Sequence, residues 1–209
     1  RLRNFRPKEA QLLESLARQL APILSQSGQD LLEKRFYRLF ETIGAQLEKY
    51  SPLCHHPASW SRLASIAATS DTLWNHLLTN TDLLNKLEPT ELRIDAEFFR
   101  KEVEKALGKC IHQEEELDAI RRFKHTQAFL LGSAELDGFL EYNQARQGLT
   151  ILAEIVLQKA NEICFRDLIQ RHGTPRDENG EPAKFSIVGM GKLGGKELTY
   201  HSDLDLIFL

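Results

Sequence analysis

Residues 185–209 read Phe-Ser-Ile-Val-Gly-Met-Gly-Lys-Leu-Gly-Gly-Lys-Glu-Leu-Thr-Tyr-His-Ser-Asp-Leu-Asp-Leu-Ile-Phe-Leu. Two short apolar runs are joined here by a glycine-rich turn, and the second run carries Asp203 and Asp205. The runs are too short for helices and predict neighbouring strands, Phe185–Val188 and Asp205–Leu209. Side chains two apart on a strand share a face, so Asp203 and Asp205 are placed to grip one divalent cation from a common side. Mg²⁺ takes few carboxylates and fills its other positions with water and phosphate oxygens, so the pattern outlines a metal–nucleotide site.

Two other glycine motifs compete for the same residues. Gly189-Met190-Gly191-Lys192-Leu193-Gly194 satisfies G-x-G-x-x-G after a strand. A dinucleotide fold, however, needs a crossover of at least about 10–12 residues before the next parallel strand. Only residues 195–202 separate the last glycine of that motif from Asp203, which excludes it. A phosphate-binding Walker loop fails as well, because Glu197 follows Gly195-Lys196 where Ser or Thr is required, and Met190 stands where its first glycine should be.

What remains is the nucleotidyltransferase pattern, a glycine pair followed by a short turn and Asp-hydrophobic-Asp on a strand. Here it is Leu193-Gly194-Gly195, seven intervening residues, then Asp203-Leu204-Asp205-Leu206. Gly194 and Gly195 would let the backbone approach phosphates, since a side chain there would block contact. Lys192 or Lys196 offers them a point charge, and Ser202 a hydroxyl donor.

The wording of the whole stretch, from Gly189 to Leu198 and again from Tyr200 to Leu209, resembles the glutamate-ammonia-ligase (glutamine synthetase) adenylyltransferase family. Upstream, residues 117–131 with Ile120-Arg121-Arg122-Phe123-Lys124 are similar to that family's charged helix, and Leu149-Thr150-Ile151-Leu152-Ala153-Glu154 to its L-T-x-L-A-E segment. Residues 36–87 resemble the helical region before the second of its two tandem halves, the adenylylating one, whereas Met190 is associated with the first, adenylyl-removing half; both assignments stay open. Phe129-Leu130-Leu131-Gly132 stands where the family usually carries an arginine.

The resemblance implies transfer of AMP from ATP to a tyrosine of glutamine synthetase, or its removal by phosphorolysis, in the regulation of nitrogen assimilation. Asp203 and Asp205 would be catalytic and hold Mg²⁺; Gly194, Gly195, Lys192 and Ser202 would contact ATP. Glutamine synthetase is the expected partner, with a nitrogen-signalling regulatory protein as a second. A third carboxylate is expected from a later strand, so the chain reads as a piece of something longer that catalyses little by itself. The alternatives are a non-catalytic helical interaction or regulatory module, and a nucleotidyltransferase with another acceptor.

The rest of the chain has a helical period. Leu12, Leu13, Leu16 and Leu20 form an apolar stripe ended by Pro22, and Leu32, Phe36, Leu39, Phe40, Ile43 and Leu47 form another within a helix over 29–50. Further helices are expected over 57–69, 71–79, 81–87, 95–107, 113–131, 134–142 and 147–172, with Asp95 capping its segment and Pro52 and Pro57 in first turns. The expected organisation is therefore a mainly α-helical bundle over 1–172, a polar loop over 173–184, and the start of an α/β nucleotidyltransferase core over 185–209.

A net charge of −3 argues against a nucleic-acid surface. No apolar run reaches the ~18–20 residues of a membrane span and no signal pattern opens the chain, so a cytoplasmic location is expected. Cys54, Cys110 and Cys164 are few, odd in number and widely spaced, which reads as reduced core thiols. Cys54-His55-His56 has no second ligand pair spaced to complete a zinc site. Arg121, Arg122, Lys124 and His125 read as a solvated helix face, and Glu114-Glu115-Glu116 as charge favoured at a helix N-terminus. Trp60, Trp74 and the phenylalanines are assigned to the core, and His201 to the surface or the nucleotide.

Overall fold

The computed structural model describes residues 18, 29–44, 49–50, 57–87 and 92–209. The expected first helix with its Leu12–Leu20 stripe and Pro22, and Pro52 and the Cys54-His55-His56 cluster, lie outside the described residues. The described chain is mostly helical, and it divides into two compact units.

The first unit comprises residues 1–91 with 136–139. Its elements are α1 (Gln29–Ile43), α2 (Pro57–Thr69), α3 (Asp71–Thr79) and a 3-10 turn (Thr81–Lys86). Helix α1, expected over 29–50, ends at Ile43 and the next residue, Gly44, takes φ 37°; residues 45–48, with Leu47 of the expected stripe, lie outside the described residues. Leu32, Phe36, Leu39 and Ile43, spaced three and four apart, bury the stripe expected of them, and Phe36 meets Trp74 edge-on at 5.8 Å. Pro57 opens α2, and Ser70 caps α3 by accepting the Leu73 N–H. Arg62 is buried and paired with Asp137, with a further bond from Nη1 to the Leu87 carbonyl at 3.3 Å.

The second unit, residues 92–135 and 140–209, holds α4 (Ala96–Leu107), α5 (Gln113–Leu136), α6 (Tyr142–His172), β1 (Ile187–Gly189), the single turn α7 (Gly191–Gly194) and β2 (Leu206–Phe208). Asp95 caps α4 as its position suggested, accepting the Phe98 N–H at 2.8 Å. Glu115 closes the start of α5 by accepting the Ile111 N–H at 2.8 Å and then that of His112, and these bonds hold its carboxyl below the usual range. Packing between α5 and α6 is close: a Cβ on Gly148 would lie 2.8 Å from Leu131. The core unites Phe99, Val103, Ile120, Phe123 and Leu131 with Leu149, Leu152, Ile155 and Ile163 of α6, and extends to Leu193 and Leu198 beyond β1.

Three further expectations need correction. The helix expected over 134–142 is absent; α5 runs on to Leu136, residues 137–140 turn, and α6 starts at Tyr142, five residues before the expected 147. Gly138 at φ 73° breaks the helix, and Glu141 and Gln144 form a capping box that begins the next one. The thiols are not uniformly core, since Cys164 is exposed on α6 and Cys110 is half-buried. Among the aromatics, Trp60, Trp74, Phe99 and Phe129 are buried, but Phe139, Phe185 and Phe208 are exposed.

β1 and β2 form an antiparallel pair in which Ile187 faces Phe208, Val188 faces Ile207 and Gly189 faces Leu206. Backbone bonds continue the ladder past both ends. Ser186 and Leu209 exchange N–H···O bonds at 2.9 and 3.0 Å, and the Met190 N–H donates to the Asp205 carbonyl at 2.8 Å. β1 is thus shifted toward the C-terminus of the expected 185–188, starting two residues later and ending one later, while β2 lies inside the expected 205–209, and Asp203 sits in irregular backbone before it.

Candidate functional site

The glycines of the turn after β1 are constrained to different degrees and for different reasons. Gly191 takes φ 51°, and a Cβ on it would stand 2.5 Å from Asp205 Oδ2. Only glycine lets that carboxylate lie over the backbone there. Gly194 is held against β1: its Cβ would be 2.6 Å from the Gly189 carbonyl oxygen, and a Cβ on Gly189 would strike Leu193 at 2.8 Å. Gly195 is less constrained, with φ −78° and ordinary clearance, its Cβ position 3.4 Å from the Gly191 oxygen. Backbone bonds from Gly194 to the Met190 carbonyl (3.0 Å), from Gly195 to Gly191 (2.9 Å) and from Glu197 to Lys192 (2.7 Å) wind the turn, and Lys196 then takes φ 56°.

The loop from the turn to β2 is fastened to the helices at several points. Leu193 and Leu198 are buried in the core of the second unit. Arg146 of α6 donates to the Glu197 carboxylate at 2.9 Å, its guanidinium 5.3 Å from the Tyr142 ring centre. Tyr200 donates to Glu135 Oε2 at 2.7 Å. Ser202 Oγ accepts the Thr199 N–H at 2.9 Å while the Ser202 N–H donates to the Thr199 carbonyl at 3.1 Å, so its hydroxyl oxygen is engaged in closing this turn.

Asp203 and Asp205 are both exposed. Asp205 lies opposite Met190 in the extended ladder, and by strand alternation it shares the sheet face of Val188 and Ile207. Ile187 and Gly189 belong to the other face, where they line a cleft of about 360 Å³ with Glu154, Gln158 and Asn161 of α6. Gly194 and Lys196 also border that cleft, whereas Lys192 stands exposed on α7.

Of the residues singled out from sequence, Asp205 and the glycine turn are brought together, through Gly191. Gly191, Tyr200, Glu135 and Arg146 were not among the candidates. The positive φ of Gly191 was hidden within a recognised motif, and Tyr200 and Glu135 are 65 residues apart, beyond any local pattern.

The two carboxylates suit a hard cation, being oxygen donors open to solvent where phosphate and water oxygens have room to join them. The bare backbone at Gly191 leaves space beside Asp205 that a side chain would fill. Among the described residues no three His, Cys, Asp or Glu side chains converge to form a complete cation cage, and no helix is long and apolar enough to cross a membrane.

Comparison with known proteins places these features in a family. The family model for glutamate-ammonia ligase adenylyltransferase matches residues 60–209. A bifunctional glutamine synthetase adenylyltransferase/adenylyl-removing enzyme from Nitrosococcus oceani is 34% identical over 186 residues, which is 84% of this chain and 19% of the relative. Proteins of the same description from Chromobacterium violaceum and Shewanella frigidimarina are 33% and 27% identical, over 84% and 99% of this chain and 19% and 22% of their own lengths. The chain spans about a fifth of the length of these curated relatives.

Proposed function

Because the chain belongs to the glutamate-ammonia ligase adenylyltransferase family, we propose that residues 185–209 open the nucleotidyltransferase core of an enzyme that moves AMP between ATP and a tyrosine of glutamine synthetase. The observation that carries this reading is the approach of the Asp205 carboxylate to the side-chain-free backbone of Gly191, which joins the acidic pair to the glycine turn.

In the adenylylating direction the tyrosine oxygen forms a bond to the α-phosphorus of ATP, the bond to the bridging oxygen breaks, pyrophosphate leaves with that electron pair, and the hydroxyl proton is released to solvent. In removal by phosphorolysis a phosphate oxygen forms a bond to the AMP phosphorus, the bond to the tyrosine oxygen breaks, that oxygen takes up a proton as the free hydroxyl, and AMP leaves joined to phosphate as ADP. Mg²⁺ bound by Asp203 and Asp205 would neutralise phosphate charge and help activate the attacking oxygen. The chain's own contribution is positional. Gly191 admits the carboxylate, Gly194 keeps the turn tight against β1, Gly195 leaves its Cα bare toward the phosphates, and Lys192 projects a positive charge from α7. Ser202 braces the turn leading into Asp203. A third carboxylate from outside these residues completes the cation site, and glutamine synthetase and a nitrogen-signalling regulator are the partners of the whole protein.

The test is Asp203→Asn and Asp205→Asn in a protein of the relatives' full length that carries this sequence. Each change should abolish Mg²⁺-dependent transfer of labelled AMP to glutamine synthetase while circular dichroism stays unchanged. A ligand worth several kcal/mol of charge stabilisation corresponds to a fall of roughly a thousandfold, at about 1.4 kcal/mol per decade. Near-normal transfer by either variant removes the metal role.

A further inference from the structure

Residues 196–205 carry Asp203 and Asp205, yet they contain no helix or strand to hold them. Their placement depends on individual side chains. Leu198 is buried in the core and Tyr200 packs against the same cluster. The Tyr200 hydroxyl reaches Glu135 in the last turn of α5 at 2.7 Å, a charge-assisted bond that ties the loop to the helical body. Burial, and then the hydrogen bond and negative charge of Glu135, push the phenol above its ordinary value, so Tyr200 stays protonated and remains a donor. Tyr200 lies inside the Thr199–Ser202 turn, which delivers the backbone to Asp203, and two residues on, the Asp205 carbonyl enters the ladder with Met190.

We propose that Tyr200 and Glu135 form a positioning pair that fixes the Asp203–Asp205 loop for divalent-cation binding. The proposal rests on the adenylyl-transfer reading given above. A phenylalanine at 200 would fill the same apolar space, so the hydroxyl's role is directional: it sets where the loop leaves the core, three residues before Asp203. Misplacement of reacting groups by about 1 Å is enough to cost up to ~100-fold in rate.

Tyr200→Phe, Glu135→Ala and Glu135→Gln test the pair in a protein of the relatives' full length that carries this sequence, beside Asp205→Asn. Glutamine keeps an oxygen that accepts the phenol proton, so Glu135→Gln should retain near-normal transfer. Tyr200→Phe and Glu135→Ala should lower kcat roughly 10–100-fold. KM for glutamine synthetase should stay within about twofold, since docking of the acceptor is not disturbed. In the same two variants Mn²⁺ binding without nucleotide, read by electron paramagnetic resonance, should weaken, and their melting curves should stay cooperative.

Wild-type kcat and Mn²⁺ affinity in Tyr200→Phe would overturn the proposal. So would a loss that merely tracks the folded fraction, or equal damage from Glu135→Gln and Glu135→Ala. If Asp205→Asn is inactive while Tyr200→Phe is normal, the positioning pair alone fails; if Asp205→Asn transfers normally, the adenylyl-transfer reading fails and this one with it.

Discussion

At the residue scale, the adjacent glycines Gly194 and Gly195 do unequal work. Gly194 is boxed in by the Gly189 carbonyl, 2.6 Å from where its Cβ would be, and backbone atoms of a strand do not move aside as a flexible side chain would. Gly194→Ala should therefore disturb the turn and destabilise the protein by about 1–3 kcal/mol, as overpacking does. Gly195 has φ −78° and ordinary clearance, so Gly195→Ala should leave the melting temperature nearly unchanged. Any loss of AMP transfer in Gly195→Ala then reports contact with the nucleotide rather than damage to the fold. Thermal melts and labelled-ATP assays on both variants read this; equal stability loss at the two positions would contradict the distinction.

At the scale of elements, the α5–α6 boundary shows how a helical pattern can continue across a break. The apolar spacing carried an expected helix through Ala134–Tyr142, but Gly138 sits at φ 73° and the Glu141–Gln144 box starts a new helix. A Cβ on Gly138 would meet nothing within 4 Å, so substitution there measures backbone conformation alone. Gly138→Ala should lower stability by about 1–2 kcal/mol, the cost of a left-handed L-residue, and Gly138→Asn by less, because asparagine visits that region readily. Urea denaturation of the three proteins checks the order, and an unchanged midpoint for alanine would show that the turn relaxes.

Such breaks set the limit of what the sequence discloses. The stripe of α1, the Asp95 cap and the two-strand unit follow from short-range periodicity and spacing, and so were readable. The glycine turn was readable as a motif, but the separate tasks of Gly191 and Gly194 depend on atoms of Asp205 and Gly189 that only the folded backbone brings near. The Tyr200–Glu135 and Arg146–Glu197 ties join residues 65 and 51 apart, and no local pattern marks them. Cys164 faces solvent because of its place around α6, which an odd cysteine count does not reveal.

At the scale of the whole molecule, the proposed function makes residues 1–209 a part of a site rather than the whole of it. β1 and β2 pair only with each other among the described residues, and a two-stranded sheet is marginal unless packing supports it. Here one face has that support through Leu193 and Leu198, while Phe185, Ile207, Phe208 and Leu209 remain exposed. Asp203 and Asp205 are likewise open, and no third carboxylate, histidine or cysteine converges with them among the described residues. Stabilisation of a transition state comes from groups acting together, so an incomplete set forfeits most of the effect rather than a proportionate share. Purified residues 1–209 should fold into a helical protein by circular dichroism yet label glutamine synthetase no faster than background with ATP and Mg²⁺. A protein of the relatives' full length carrying the same residues should label it, and should lose that activity when Asp205 is changed to Asn. Efficient labelling by residues 1–209 alone would show that two carboxylates suffice and that no later strand is needed to complete the site.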